Sequence, residues 1–120
     1  MAKVLLVGYI VELLQERERA MRDAGHAVTV AGTFTTAATT IQQDLFDVAV
    51  LGFSIPEHDR NRLAYAIKQA NPATKIIMIY FDSIKNTELA DALLQTTAGA
   101  EGVLRAINHL LSAQSQLPTG

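Results

Sequence analysis

Few residues of this chain could move a proton or hold a metal, and they are poorly arranged for either task. The three histidines, His26, His58 and His109, fall on a turn, a loop and a helix. No metal-ligand spacing links them, so they read as surface histidines. Glu57-His58-Asp59 sets two carboxylates around an imidazole, a grouping that could do acid–base work. A capping role for Asp59 at the head of a helix explains that position better. The chain has no cysteine, which excludes disulfides, thiolate nucleophiles and cysteine-ligated zinc. Gly8-Tyr9-Ile10 lacks the glycine-rich pattern that presents backbone N–H groups to a phosphate. No Gly-x-Ser-x-Gly elbow occurs. The runs Arg17-Glu18-Arg19 and Arg60-Asn61-Arg62 read as solvated helix faces. No catalytic residue, metal ligand or cofactor site emerges, so the expectation is a protein that is not an enzyme.

The elements that would position any site are easier to read. The chain has 120 residues, within the ~100–200 of one domain. Its apolar share of 49% supports a real core, and its net charge of −2 gives no footprint for nucleic acid or an anionic membrane. No apolar run approaches the ~20 residues that span a bilayer. Met1 to Gly8 carries one lysine and a short apolar run, which reads as a first strand and not as a signal peptide. A cytoplasmic location is the default expectation.

Val4–Val7 predicts a buried strand closed by Gly8. Ile10–Ala24 carries a helical pattern, with Leu13, Leu14, Met21 and Ala24 on one side, a Glu18–Arg22 pair on the wet side and Gly25 as a left-handed cap. Ala27–Ala31 is a second strand. Thr33 or Thr35 can cap a helix that runs to about Leu45 and, being rich in Thr and Ala, must lean on packing. Asp47–Leu51 is a third strand whose core, Val48–Leu51, is an unbroken apolar run of the kind buried on both faces of a parallel sheet. A helix from Asp59 to Ala70, with Leu63, Ala66, Ile67 and Ala70 on one face, stops at Asn71-Pro72. Lys75–Tyr80 is a fourth strand, Ile84–Ala90 a short helix and Ala92–Gln95 a weak fifth strand. A last helix spans about Ala98–Leu111, with a first turn softened by Gly99 and Gly102. One domain over 1–112 and a flexible polar tail over 113–120 follow. Five strands alternating with helices imply a parallel α/β sheet sandwiched by helices. In such sheets working residues sit just past the carboxyl ends of the strands. After the third strand that place holds Gly52 and Phe53, which carry no acid, base or nucleophile.

In order and spacing, five stretches resemble a response-regulator receiver domain over nearly the whole chain. They are Lys3-Val-Leu-Leu-Val7, Gly25-His26-Ala27-Val28, Phe46-Asp47 with Ile55-Pro56-Glu57-His58-Asp59, Asn71-Pro72 with Lys75-Ile-Ile-Met-Ile79, and Val103-Leu104-Arg105-Ala106-Ile107 with Leu110-Leu111. The resemblance implies a five-stranded parallel sheet in the order 2-1-3-4-5. It also implies two-component phosphorelay signalling, in which a phosphoryl group moves onto one aspartate with the help of Mg²⁺. The implied positions have lost that chemistry. The acidic pair falls on Gly8 and Tyr9, the phosphoacceptor on Gly52, the switch hydroxyl on Tyr80 and the lysine-proline on Thr96-Thr97. Asp82 is the nearest remaining carboxylate, and one ligand does not hold Mg²⁺. The segment from Tyr80 to Thr96 is short for the family, which implies a clipped fourth helix.

The pattern is that of a degenerate, phosphorylation-independent pseudo-receiver. Aromatics stand where the acids were: Tyr9, Phe53, Tyr80 and Phe81 all follow strand ends on one edge of the sheet. They plug the vacated space, form a docking surface for a partner, or line a small-molecule pocket. Arg60 falls where the family usually has glycine and would change the rim of the old pocket. The implied partner is a protein (a histidine kinase, an output domain or another regulator) or a second copy of the chain, with no direct nucleic-acid or membrane contact. The alternative is a flavodoxin-like ligand-binding domain or a dimerisation module of a longer regulator.

Overall fold

A computed structural model describes residues 2–115, with side chains over 2–112. Helices α1 (Val11–Asp23), α2 (Phe34–Gln43) and α3 (Glu57–Ala70) join the first four of five strands, β1 (Lys3–Val7), β2 (Ala27–Ala31), β3 (Val48–Leu51) and β4 (Lys75–Tyr80); β5 (Ala92–Gln95) follows β4 without a helix, and α4 (Gly99–Ser115) closes the described chain. All strand pairs are parallel and the sheet order is β2-β1-β3-β4-β5, as the resemblance implied.

Alternation along the strands splits the core in two. Leu5, Val7, Ala49, Leu51, Ile76 and Met78 face α2 and α3. Val4, Leu6, Val48, Val50, Ile77 and Ile79 face α1 and α4. Both faces are covered, which is why these strands read as continuous apolar runs. Local signals fix several boundaries. Gly25 ends α1 in the left-handed region (φ 93°). Thr33 caps α2 by accepting a bond from the Thr36 amide at 3.1 Å. Asn71 ends α3 before Pro72.

Several expectations are corrected. Asp59 does not cap α3, which starts at Glu57 with Pro56 at its cap; Asp59 lies in the first turn. Ala24 and Ala70 are exposed, since a methyl group is small enough to sit on either side of an amphipathic boundary. The last helix runs on to Ser115; the rest of the expected tail, 116–120, lies outside the described residues.

The short helix expected over Ile84–Ala90 does not form. Residues 81–91 are an extended loop, with Asn86 in the left-handed region (φ 56°). A two-turn helix is marginal on its own. Tertiary contacts offer this segment more: Ile84, Leu89 and Ala90 pack on the α2–α3 core. The Arg60 guanidinium accepts no helix in its place, because it bonds the Lys85 and Asn86 carbonyls at 2.6 and 3.1 Å. In a helix those carbonyls would serve the amides of Leu89 and Ala90. The loop closes on Asp91, whose amide donates to Ile76 O at 2.7 Å and whose carboxylate accepts from the Ile76 amide at 2.8 Å. Without a helix here, Leu93 on β5 stays 44% exposed.

Candidate functional site at the carboxyl edge of the sheet

The strand order reverses between β1 and β3, and ligands of open α/β sheets gather outside the carboxyl ends at such a point. Gly8 and Gly52 stand there side by side, because Val7 pairs with Leu51 and the Gly52 amide donates to Val7 O at 2.8 Å. Both glycines are buried. A β-carbon on Gly52 would lie 3.2 Å from Val7 O and 3.3 Å from Arg17 Nη1. The guanidinium of Arg17 thus stands where a side chain of residue 52 would begin.

Arg17 is only 8% exposed, which corrects the solvated-face reading of its run. The cause is its place on α1. Leu14, Arg17 and Met21 recur at three- and four-residue spacing and form the buried stripe of the helix. A long stem lets the guanidinium reach the sheet edge beside Gly52. Burial lowers its pKa, with a smaller opposing effect from the charge of Glu16. That spacing was visible in the sequence, but the charge masked it.

The aromatic residues do share this edge, but on different sides of it. Tyr9 is half-buried and leans on the α2–α3 core. Its amide donates to Ser54 Oγ at 2.8 Å and its hydroxyl to Asp59 Oδ2 at 3.1 Å. Burial pushes its phenol up to about 12, with the Asp59 hydrogen bond and charge adding to it. Phe53 packs on the α1–α4 core and meets Phe81 with ring centroids 5.9 Å apart and planes tilted 36°. Phe81 is 68% exposed. Tyr80 is half-buried at the end of β4. Thr96, also half-buried, opens a single 3₁₀ turn after β5.

A cleft of about 410 Å³ runs between the β3–α3 connection and the 81–85 segment, lined by Gly52, Phe53, Arg60, Tyr80, Phe81 and Lys85 among others. Arg60 belongs to its wall and not to an exposed docking rim. It is 6% exposed, and besides the loop carbonyls it clasps Asn61 Oδ1 at 3.1 and 2.9 Å. His26 is likewise buried, contrary to the surface reading. Its Nδ1 accepts the Ala2 amide at 3.0 Å and fastens the start of β1, and burial lowers its pKa. His58 and His109 are exposed. Asp82 is exposed, and among the described residues no group of three or more His, Cys, Asp or Glu side chains could hold a metal ion. No described helix is long and apolar enough to cross a membrane.

No protein-family model matches the sequence. No curated protein matches it either. Solved structures do. A CheY-like response-regulator receiver domain protein from Methanospirillum hungatei superposes with a TM-score of 0.85 at 20% identity, over 97% of this chain and 98% of that one. The chemotaxis protein CheY4 of Vibrio cholerae gives 0.80 at 22% identity, over 92% and 98%. The response regulator TrrA of Thermotoga maritima, solved with Mg²⁺ and BeF, gives 0.79 at 16% identity, over 92% and 99%. With its strand order and its near-complete mutual coverage of these proteins, the chain has the CheY-like fold of response-regulator receiver domains.

Proposed function

We propose that this chain is a phosphorylation-independent receiver-fold module that acts in signal transduction by docking to a protein. One observation carries the reading. At the switch point the strand ends present Gly8 and Gly52, and the charge beside them is the Arg17 guanidinium. Mg²⁺ needs hard oxygen ligands held in near-octahedral geometry. A fixed cation in their place disfavours it, and Gly52 offers no oxygen to receive a phosphoryl group. Gly8, Tyr9, Gly52, Tyr80 and Thr96 are, in this reading, the former phosphorylation-site positions.

The docking surface is the Phe53–Phe81 pair with the mouth of the adjoining cleft. An aromatic with most of its surface in water is costly to keep unless a partner covers it, and aromatic anchors dominate interface energetics. Tyr80 lines the mouth. Arg60 forms part of its wall, and Tyr9 fastens the end of β1 to Ser54 and Asp59. The partner class is a sensor kinase, an output domain or another regulator. The size of the cleft also favours a second reading, because ligand pockets start near ~300 Å³: a small ligand in the cleft, as in other flavodoxin-like domains.

Titration calorimetry against sensor-kinase and regulator domains, with Phe53→Ser and Phe81→Ser variants, separates the two. The docking reading expects each variant to weaken binding at least about tenfold. Unchanged affinity in both variants would sink the aromatic surface. Melting-point shifts with nucleotides or flavins that survive Phe81→Ser would promote the ligand reading.

A further inference from the structure

We propose that Arg17 is the receptor group of an oxyanion site at the β1–β3 switch point. The ligand class is a small oxyanion, a carboxylate or a phosphate, bound without a metal. The inference stands apart from the docking reading, since it concerns the isolated chain and a ligand of its own.

The two buried arginines of this fold are treated differently. Arg60 donates to Asn61 and to two loop carbonyls. Arg17 makes no hydrogen bond or ion pair with any described residue, although it is 8% exposed. A guanidinium carries five N–H donors and keeps its charge in proteins, so a fold that buries one normally meets it with acceptors. Four other cations have carboxylate partners: Lys3 with Asp44, Arg22 with Glu18, Lys68 with Asp91 and Arg105 with Glu101. Arg17 is mostly buried and has no partner among the described residues, and its nitrogens keep contact with water, so they are open to a ligand.

Its position says where the missing acceptor belongs. Nη1 lies 3.3 Å from the point where a residue-52 side chain would start, and Gly52 is also a wall of the 410 Å³ cleft. The glycine is therefore the boundary shared by the guanidinium and the cleft. Arg60 and Lys85 add positive charge to the lining, and Glu57 there keeps its negative charge while accepting from Asn86 Nδ2 at 2.7 Å. Glu57 and Asp82 oppose an anion, and both are exposed, where water screens them. Two oxygens of a carboxylate or a phosphate match the fork of a guanidinium. A bound anion would supply the counter-charge that the fold withholds.

The test is thermal melting and amide NMR of the full chain with sodium phosphate and, separately, sodium acetate, each against sodium chloride at equal ionic strength. Wild type is expected to show a saturable rise in melting temperature and saturable shifts at the Gly52 and Phe53 amides. A response to phosphate alone assigns a phosphate site, and a response to both anions assigns a general carboxylate and phosphate site. Arg17→Met is expected to melt above wild type without anion and to lose the response. Arg17→Gln, which keeps a polar head, is expected to bind at least about tenfold more weakly. A wild type that responds to neither anion beyond chloride overturns the proposal. So does an equal saturable response in Arg17→Met or Arg17→Gln.

Discussion

Replacing Arg60 by methionine keeps most of the apolar stem and removes the guanidinium, with its bonds to the 81–91 loop and to its helix neighbour Asn61. Arg60 Nη2 is 2.6 Å from Lys85 O and 3.1 Å from Asn86 O. Hydrogen bonds from a charged donor contribute ~1.5–3 kcal/mol each when the partner stays buried. Lys85 and Asn86 are exposed, so water replaces part of what their carbonyls lose. The low end of the range applies, and the two bonds together should contribute ~2–3 kcal/mol. Urea unfolding of Arg60→Met is expected to show that loss. Hydrogen exchange is expected to show faster turnover at Ala90 and Asp91, whose amides donate to Thr87 O and Ile76 O at 3.0 and 2.7 Å. Exchange elsewhere should rise only by the global loss of stability. A stability change under ~0.5 kcal/mol, with loop exchange unaltered, would refute the reasoning. The loop would then be held by Ile84, Leu89 and Ala90 alone.

Three further outcomes follow from other contacts. Burial lowers the His26 pKa, so between the folded value and the unfolded ~6.5 the unfolded chain binds more protons, and stability should fall as pH drops through that window and stay flat above it. Urea midpoints at about pH 7.5 and 5.5 check this, and His26→Asn should flatten the difference. Tyr9→Phe should cost ~0.5–1.5 kcal/mol for the Asp59 bond. It should also remove the phenol that titrates at about 12 in an ultraviolet titration. Gly102→Ala should destabilise by ~1–3 kcal/mol despite the better helix propensity of alanine, because its β-carbon would lie 2.4 Å from Ala98 Cβ. A raised melting temperature for this variant would contradict the packing of α4 on the 3₁₀ turn.

The fold was legible because its signals were local and redundant. Val48–Leu51 and Ile76–Ile79 are apolar without alternation, and only strands covered on both faces need to be. Gly25, Thr33 and Asn71 each marked a helix end that the backbone uses. The edge of the sheet on which Tyr9, Phe53, Tyr80 and Phe81 gather was legible from their places after strand ends. What escaped was set by tertiary contact. Arg17 and Arg60 are long enough to bury a stem and carry their charge elsewhere, so residue type alone placed them in water. The segment from Ile84 to Ala90 has helical composition, and the choice of a loop lies with Arg60, distant in sequence. His26 is buried because an amide at the start of β1 needs its Nδ1, a pairing no local pattern records. The split of the aromatics between two faces follows from side-chain direction at each strand end, which a shared edge does not specify.

Amide NMR of the chain titrated with Mg²⁺, then with beryllofluoride in the presence of Mg²⁺, tests the proposed independence from phosphorylation most directly. The account predicts no saturable Mg²⁺-dependent shift at Gly8, Tyr9, Gly52 or Phe53, with the Arg17 guanidinium left in place beside Gly52. Saturable shifts centred on Gly52 that require Mg²⁺ would contradict it.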